Sequence, residues 1–356
     1  MSRRNRPNLQ LLARDDGDLE ILRGGEYGGY ICLNEHQQPV PRDLLVGGVR
    51  IGAGGHGEVS RIIYNGVVIA RKDVKVELHL NSRDSDFAKK SVEKKLREVD
   101  VIKGCANCYC IVHFYGYFVE KDRNCVNIHI FMEELRLSAA VLEREVENRG
   151  QKIPEFVIGR ITCSVLHALQ FLKEKMQMIH RDVKPSNILI DDDGRVKICD
   201  FGISGKLQNS RAYTNNGCQQ YTAPELIANS LDLRGYSVKS DIWSLGITIW
   251  ELSTLRLPYP KTTGIALAGA IDREPAPIME RGEYSDRLVE FVGKLLQKDK
   301  DARPTFSEIK ELPFFKEHDV PFTCIGTGVG APFESSNANR PSVGAWLDNF
   351  LYSETL

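Results

Sequence analysis

A chain of 356 residues, 42% hydrophobic and 27% charged, has the balance of a globular protein that can bury a large core without staples. Its formal net charge of -1 supplies no bulk field for nucleic acid or an anionic membrane, so any charge-driven partner must meet a local patch. Nine cysteines, an odd number, and no apolar run after the basic N-terminus predict a reducing, intracellular setting.

Residues 1–44 are polar and rich in Gly, Arg and Asn, and read as mostly flexible. Strand-like runs follow at 45–51, 59–64 and 66–76, then a polar loop at 77–85. Residues 87–103 read as a helix, with Gly104 placed as the left-handed residue beyond its end. Cys105, Cys108 and Cys110 resemble a metal knuckle, but no second CxxC or His-x3-His segment completes it, which favours small buried apolar residues. Further strand-like runs at 111–120 and 125–133 complete a mainly β first lobe. From about Ser138 the texture is helical: Ile158, Ile161, Val165, Leu169 and Leu172 repeat along one helix face. Residues 240–252 are apolar on nearly every face, which predicts a helix enclosed by protein; residues 242–250 are too short an apolar stretch to span a bilayer. A small β lobe followed by a larger helical lobe is an α+β arrangement. After Phe315 the tail is broken by Gly and Pro until a last helical stretch near 342–351.

Gly52-Ala53-Gly54-Gly55-His56-Gly57-Glu58-Val59 fits G-x-G-x-x-G-x-V. A dinucleotide-binding loop shares that glycine spacing but must open a helix. Here Val59 begins a β-rich run, so the glycines join two strands and let backbone N–H groups approach phosphate oxygens, unless this is an ordinary Gly-rich hairpin. Ala70 and Lys72 follow on the next strand, where a lysine can grip phosphates. Glu98, on the following helix, is the expected partner of Lys72, with Glu93 as the alternative; its plain structural role would be a surface pair with Lys94.

His180-Arg181-Asp182-Val183-Lys184-Pro185-Ser186-Asn187 fits H-R-D-x-x-x-x-N, and Asp200-Phe201-Gly202 follows across a predicted hairpin with the acidic turn Asp191-Asp192-Asp193-Gly194. The hairpin brings Asn187 and Asp200 together as hard oxygen ligands suited to Mg²⁺. Phosphoryl transfer relies on positioning and charge neutralisation. Asp182 can accept the proton of an attacking hydroxyl, and Lys184 can reach the transferred phosphate.

These motifs resemble the protein kinase family across residues 45–315, with Thr222-Ala223-Pro224-Glu225 as the A-P-E element, 241–246 as the helix that anchors the catalytic loop, and Arg303 as the partner of Glu225. The resemblance implies a two-lobed kinase fold: a β-rich lobe with one regulatory helix at about 45–135 and a helical lobe at about 136–315. ATP and Mg²⁺ are the implied cofactors, and Met132, Glu133 and Leu135 join the implied nucleotide contacts. The catalytic segment, with Cys199 to Gly205 and the spacing Ser210-x-x-x-Thr214, is similar to the MAP kinase kinases.

That likeness implies a dual-specificity enzyme acting on Thr and Tyr in a MAP kinase activation loop. An upstream kinase would activate it at Ser210 and Thr214, with Arg181 a receiver of phosphate charge and Tyr213 and Thr222 weaker sites. Gly217-Cys218 and the short run from Leu257 to Lys261 are similar to the stress-activated branch, whereas Ile69-Ala70-Arg71-Lys72 is closer to the growth-factor branch. Arg3, Arg4 and Arg6 before Leu9 and Leu11 resemble the docking peptide for a downstream MAP kinase. In the tail, 316–356, the stripe Val343, Trp346, Leu347, Phe350 and Leu351 would either dock the upstream kinase or pack on its own lobe. The thiol of Cys199 either faces the nucleotide or sits in the core. A kinase of a neighbouring family and a scaffold joining upstream and downstream kinases are the alternatives. No nucleic-acid or membrane partner is expected, and the cytoplasm, with access to the nucleus, is the expected location.

Overall fold

The computed structural model describes residues 27–33, 36–54, 57–77, 92, 96, 99–122, 125–200, 220–228, 237–259, 264–319 and 342–352. The chain divides into two compact units, one of 1–103 with 113–134 and one of 104–112 with 135–356.

The first unit is a seven-stranded antiparallel sheet in the order β2-β1-β6-β7-β5-β4-β3. Its strands are β1 (Tyr27–Leu33), β2 (His36–Pro39), β3 (Val49–Gly54), β4 (Gly57–Tyr64), β5 (Val67–Glu77), β6 (Phe114–Lys121) and β7 (Cys125–Glu133). Central strands β6 and β7 are apolar on both faces because both faces are covered. One face packs Ile31, Leu44, Ile62, Ile69, Phe118 and Phe131 under the segment 40–45. The other packs Val74, Tyr117, Val119, Ile128 and Ile130 against Val92, Leu96, Val99 and Ile102, a helical stripe at i, i+4, i+7 and i+10.

Two features differ from the sequence expectation. Residues 27–33 and 36–39 pair into the sheet, although they read as part of a flexible region. The pairing depends on a backbone-to-backbone approach: a Cβ at Gly29 would lie 2.2 Å from the Tyr117 carbonyl oxygen, and one at Gly116 2.1 Å from that of Tyr30. Gly104 is the last helical residue and is not left-handed. A Cβ there would lie 2.4 Å from Met176 Cε, the end of a flexible side chain that would have to shift.

The second unit is helical apart from a three-stranded sheet, β10-β9-β8, formed by Leu137–Ser138 (β8), Ile188–Ile190 (β9) and Val196–Ile198 (β10). Helix α1 (Ala139–Asn148) starts at Ser138, whose hydroxyl accepts the Val141 N–H at 3.3 Å. Helix α2 (Glu155–Glu174) buries the predicted stripe. There follow α3 (Pro224–Ala228), α4 (Val238–Thr254), α5 (Gly264–Arg273), α6 (Asp286–Leu295), α7 (Phe306–Glu311), α8 (Pro313–His318) and α9 (Val343–Tyr352). Helix α4 opens with a Ser237/Ser240 capping box and is enclosed nearly throughout, as its apolar faces imply.

Candidate active site

Helix α4 is not only core. Asp241, Ser244, Thr248 and Glu251, at i, i+3, i+7 and i+10, make a buried polar stripe along it. Asp241 accepts the backbone N–H of His180 and of Arg181, each at 2.8 Å, and so fixes the start of the catalytic segment. Burial pushes its carboxyl up to about 7, against those two donors. Ser244 donates to the Tyr221 carbonyl at 2.7 Å.

Burial pushes the His180 imidazole down to about 4, so it is neutral near pH 7. The Asp182 N–H donates to Nδ1 at 3.2 Å, which places the proton on Nε2, 3.2 Å from the Cys199 carbonyl it donates to. His180 thus ties the catalytic segment to the end of β10. Cys199 N–H donates to the Asn187 carbonyl at 2.9 Å, which closes the hairpin and sets Asn187 beside the residue preceding Asp200. Arg181 (φ 71°) and Asp200 (φ 53°) are both left-handed without being glycine, the strained backbone that surrounding structure must hold.

At the centre, Asp182 Oδ2 accepts from Lys184 Nζ and from Asn187 Nδ2, both at 2.8 Å. Asn187 Nδ2 also donates to the Asp182 carbonyl at 2.8 Å. With the amide nitrogen committed twice, Asn187 is oriented to present its Oδ1 as a ligand. That oxygen and the Asp200 carboxylate are a donor set that fits a hard divalent cation. The structure therefore brings together Asp182, Lys184 and Asn187 directly, and Asp200 through the hairpin.

In the first unit, register places Val59 opposite Lys72, and Ala70 opposite Met132, on the sheet face that carries the helical stripe. Ile51 sits at the bulge between Arg50 and Gly52. Val49, Ile51, Ile63 and Val68 are exposed, and Val49, Ile63 and Val68 extend the Lys72 face by register. An exposed apolar strip beside an ammonium suits a flat base carrying phosphates. Gly57 (φ 127°) has no room for a side chain, since a Cβ would lie 2.3 Å from the Asp73 carbonyl oxygen. Gly52 pairs Val59, Ala53 pairs Glu58 and Gly54 pairs Gly57, so the loop does join two strands. Glu133 turns its carboxylate to the His113 N–H (2.6 Å) on the opposite face, so only its backbone could serve a nucleotide. Leu135 is buried in the second unit. Arg71, buried between strands, donates to the Leu44 carbonyl (2.7 Å) and to Asp73 (2.9 Å), and Asp73 in turn meets His129 (2.7 Å). Glu93, Glu98, Gly55, His56, Ser210, Tyr213, Thr214, Arg3, Arg4, Arg6, Leu9 and Leu11 lie outside the described residues.

Below the site, Arg303 meets Glu225 with two parallel bonds of 2.7 and 2.9 Å. Burial opposes the Glu225 charge, but the Arg303 hydrogen bonds hold its carboxyl below the usual range. Nearby, the Tyr221 hydroxyl donates to Glu251 at 2.6 Å. This pairing was not visible in the sequence. Burial, and then the charge of Glu143, pushes Glu251 up to about 8. A raised folded value means that the proton's contribution to stability is complete below about 4.5 and is lost as pH rises through about 8. Between about pH 6 and 9 the native chain should therefore lose about 2–3 kcal/mol relative to Glu251→Gln. Denaturant titrations at each pH measure this; parallel curves for the two proteins would refute a buried proton at this position.

Comparison with known proteins agrees with the geometry. The family model for the protein kinase domain matches residues 46–315. Three relatives from Caenorhabditis elegans are similar over most of the chain. Dual specificity mitogen-activated protein kinase kinase mek-1 is 34% identical over 83% of this chain and 80% of its own. The corresponding kinase sek-1 is 37% identical over 75% and 77%. The corresponding kinase jkk-1 is 30% identical over 98% and 77%.

Proposed function

The chain belongs to the protein kinase family and, within it, to the dual-specificity MAP kinase kinases, and we propose that it uses magnesium ATP to phosphorylate a threonine and a tyrosine in the activation loop of a downstream MAP kinase. The observation that carries this reading is the contact of Asp182 with both Lys184 and Asn187. Asp182 receives the proton of the substrate hydroxyl as the hydroxyl oxygen bonds to the γ-phosphorus and the bond from that phosphorus to the departing ADP breaks. Lys184 supplies positive charge beside the transferred phosphoryl. Asn187 and Asp200 would hold magnesium, which when bound neutralises charge on the nucleotide's phosphates. Lys72, with Glu98 as its partner, binds nucleotide phosphates.

Phosphorylation at Ser210 and Thr214 by an upstream kinase switches the enzyme on, with Arg181 receiving the added charge. The N-terminal basic and apolar residues Arg3, Arg4, Arg6, Leu9 and Leu11 recruit the substrate kinase in the cytoplasm. Gly217-Cys218 and the short run after Leu257 favour the stress-activated branch.

The test offers purified inactive MAP kinases to the chain carrying Ser210→Asp and Thr214→Asp, then maps the modified residues. The expected result is phosphate on both Thr and Tyr of one kinase's activation loop. Removal of residues 1–11 should raise KM for that kinase about 10-fold with kcat unchanged, the loss of roughly 1.4 kcal/mol of uniform binding. Phosphate on Thr alone, or on none of the panel while a generic substrate is phosphorylated, would overturn the proposed substrate and dual specificity.

A further inference from the structure

We propose that the C-terminal helix α9 is a positioning latch for the hairpin of β9 and β10: by packing backbone against backbone on the turn at 191–194, it keeps Asn187 and Asp200 aligned at the hairpin's other end. The proposal rests on the reading of those two residues as magnesium ligands.

The strands of the hairpin are braced by β8, through Leu137 with Ile190 and Ser138 with Leu189, and by the bonds of Ile198 to Cys110 and Val112, but these contacts stop short of the turn. Three register pairs, Ile190 with Val196, Leu189 with Lys197 and Ile188 with Ile198, join its strands, and a ribbon of that size is marginal without packing. Its turn is tight: Gly194 N–H donates to the Asp191 carbonyl at 3.0 Å, and Asp191 N–H to that of Arg195 at 2.9 Å. Arg195 also bridges the carboxylates of Asp191 and Asp193. A displacement of the turn is passed along two short strands toward Asn187 and Cys199, which the Cys199 to Asn187 bond links.

The turn and the helix meet through two glycines. Gly194 (φ 79°) would place a Cβ 2.9 Å from the Gly344 nitrogen. Gly344, in the first turn of α9, would place one 2.5 Å from the Asp192 carbonyl oxygen and 2.9 Å from the Asp193 carbonyl carbon. Both obstacles are backbone and cannot rotate away. Two arginines hold the helix in this position. Arg149, just past α1, donates to the Phe350 carbonyl and lies 4.3 Å over the Phe350 ring. Arg136 donates to the Tyr352 hydroxyl at 3.2 Å and pairs with Asp192 of the turn at 3.5 Å. That ion pair is largely exposed and contributes little by itself. Its value is that one side chain touches both parts. Val343, Leu347 and Phe350 are buried beneath the helix, whereas Ala345, Asp348 and Asn349 face solvent.

Gly344→Ala in the full-length chain tests the latch, because the added methyl must lift α9 from the turn. The magnesium concentration for half-maximal phosphate transfer should rise about 10-fold, the size of effect seen when the support of a metal ligand is lost, with kcat at saturating magnesium within about twofold of wild type. Amide exchange at Asp191, Gly194 and Ile198, measured without magnesium or nucleotide, should quicken. Asp348→Ala, on the solvent face, should match wild type in both. If Gly344→Ala yields no folded protein, Arg149→Leu serves in its place and should move both readouts the same way. A wild-type magnesium curve in a variant whose α9 amides have lost protection would overturn the proposal, as would a fall in kcat with no change in magnesium dependence. Asp200→Ala separates the two ideas. If it loses magnesium nucleotide while Gly344→Ala behaves as wild type, the latch alone fails; if it binds magnesium nucleotide normally, the ligand reading beneath the latch fails.

Discussion

Asp182→Asn is expected to lower kcat about 10²–10⁴-fold, the range that a positioned proton acceptor contributes, while leaving the chain folded. The substitution keeps the shape of the side chain and one oxygen. That oxygen can still accept from Lys184 and Asn187, which lie 2.8 Å from Asp182 Oδ2 in the native chain. What disappears is the negative charge and the capacity to take a proton. The two backbone bonds that place the segment, from His180 and Arg181 to Asp241, do not involve the altered side chain. Binding of magnesium nucleotide should therefore survive. Single-turnover transfer to a MAP kinase, with a thermal melt on the same sample, separates chemistry from folding. Transfer at the native rate would remove Asp182 from the proton's path, and full pathway output from the inactive variant in cells would favour a scaffold over an enzyme.

The catalytic segment could be read in advance because the chemistry forces unlike residue types into one short stretch. His180, Asp182, Lys184 and Asn187 each answer a separate demand, and the hairpin that follows is marked by its own acidic turn. The sheet was readable where alternation reports a buried face, as in β4, in which Ser60 and Ile62 are buried and Arg61 and Ile63 exposed. What escaped has a common cause: it depends on residues far apart in the chain. The strand Tyr27–Leu33 contains Gly28 and Gly29, poor strand formers, and is stabilised by a close approach to β6 that local pattern cannot report. Tyr221 meets Glu251 across 30 residues, and Arg149 meets Phe350 across 201. The apolar pattern of α4 reported its packing alone; its anchoring role was legible only through the motif at 241–246, and the further polar positions Ser244, Thr248 and Glu251 escaped because side chains spaced along one stripe barely change the hydrophobic pattern.

Arg303→Ala is expected to destabilise the second unit by about 3–5 kcal/mol, the range for removing one partner of a buried ion pair. The guanidinium is almost completely buried, and all five of its N–H groups are used. Two go to Glu225. The others go to the carbonyls of Gln297 (2.7 Å), Lys239 (2.8 Å) and Lys298 (3.2 Å). The side chain also lies 5.1 Å from the Trp243 ring, on the helix that anchors the catalytic segment. Alanine would leave the Glu225 carboxylate without its two guanidinium donors, although Ser240 still donates to it, and would leave three carbonyls each short of a partner and a void beside Trp243. Lysine keeps the charge but cannot reproduce two parallel bonds, so Arg303→Lys should fall between alanine and wild type. The carboxylate left behind accounts for much of the loss. Adding Glu225→Gln to Arg303→Ala should therefore recover part of the stability, although Glu225→Gln alone destabilises. Denaturant titration of the four proteins closes that cycle. Additive losses would mean that Arg303 acts through its carbonyl contacts and packing, and that the ion pair itself contributes nothing separate to the fold.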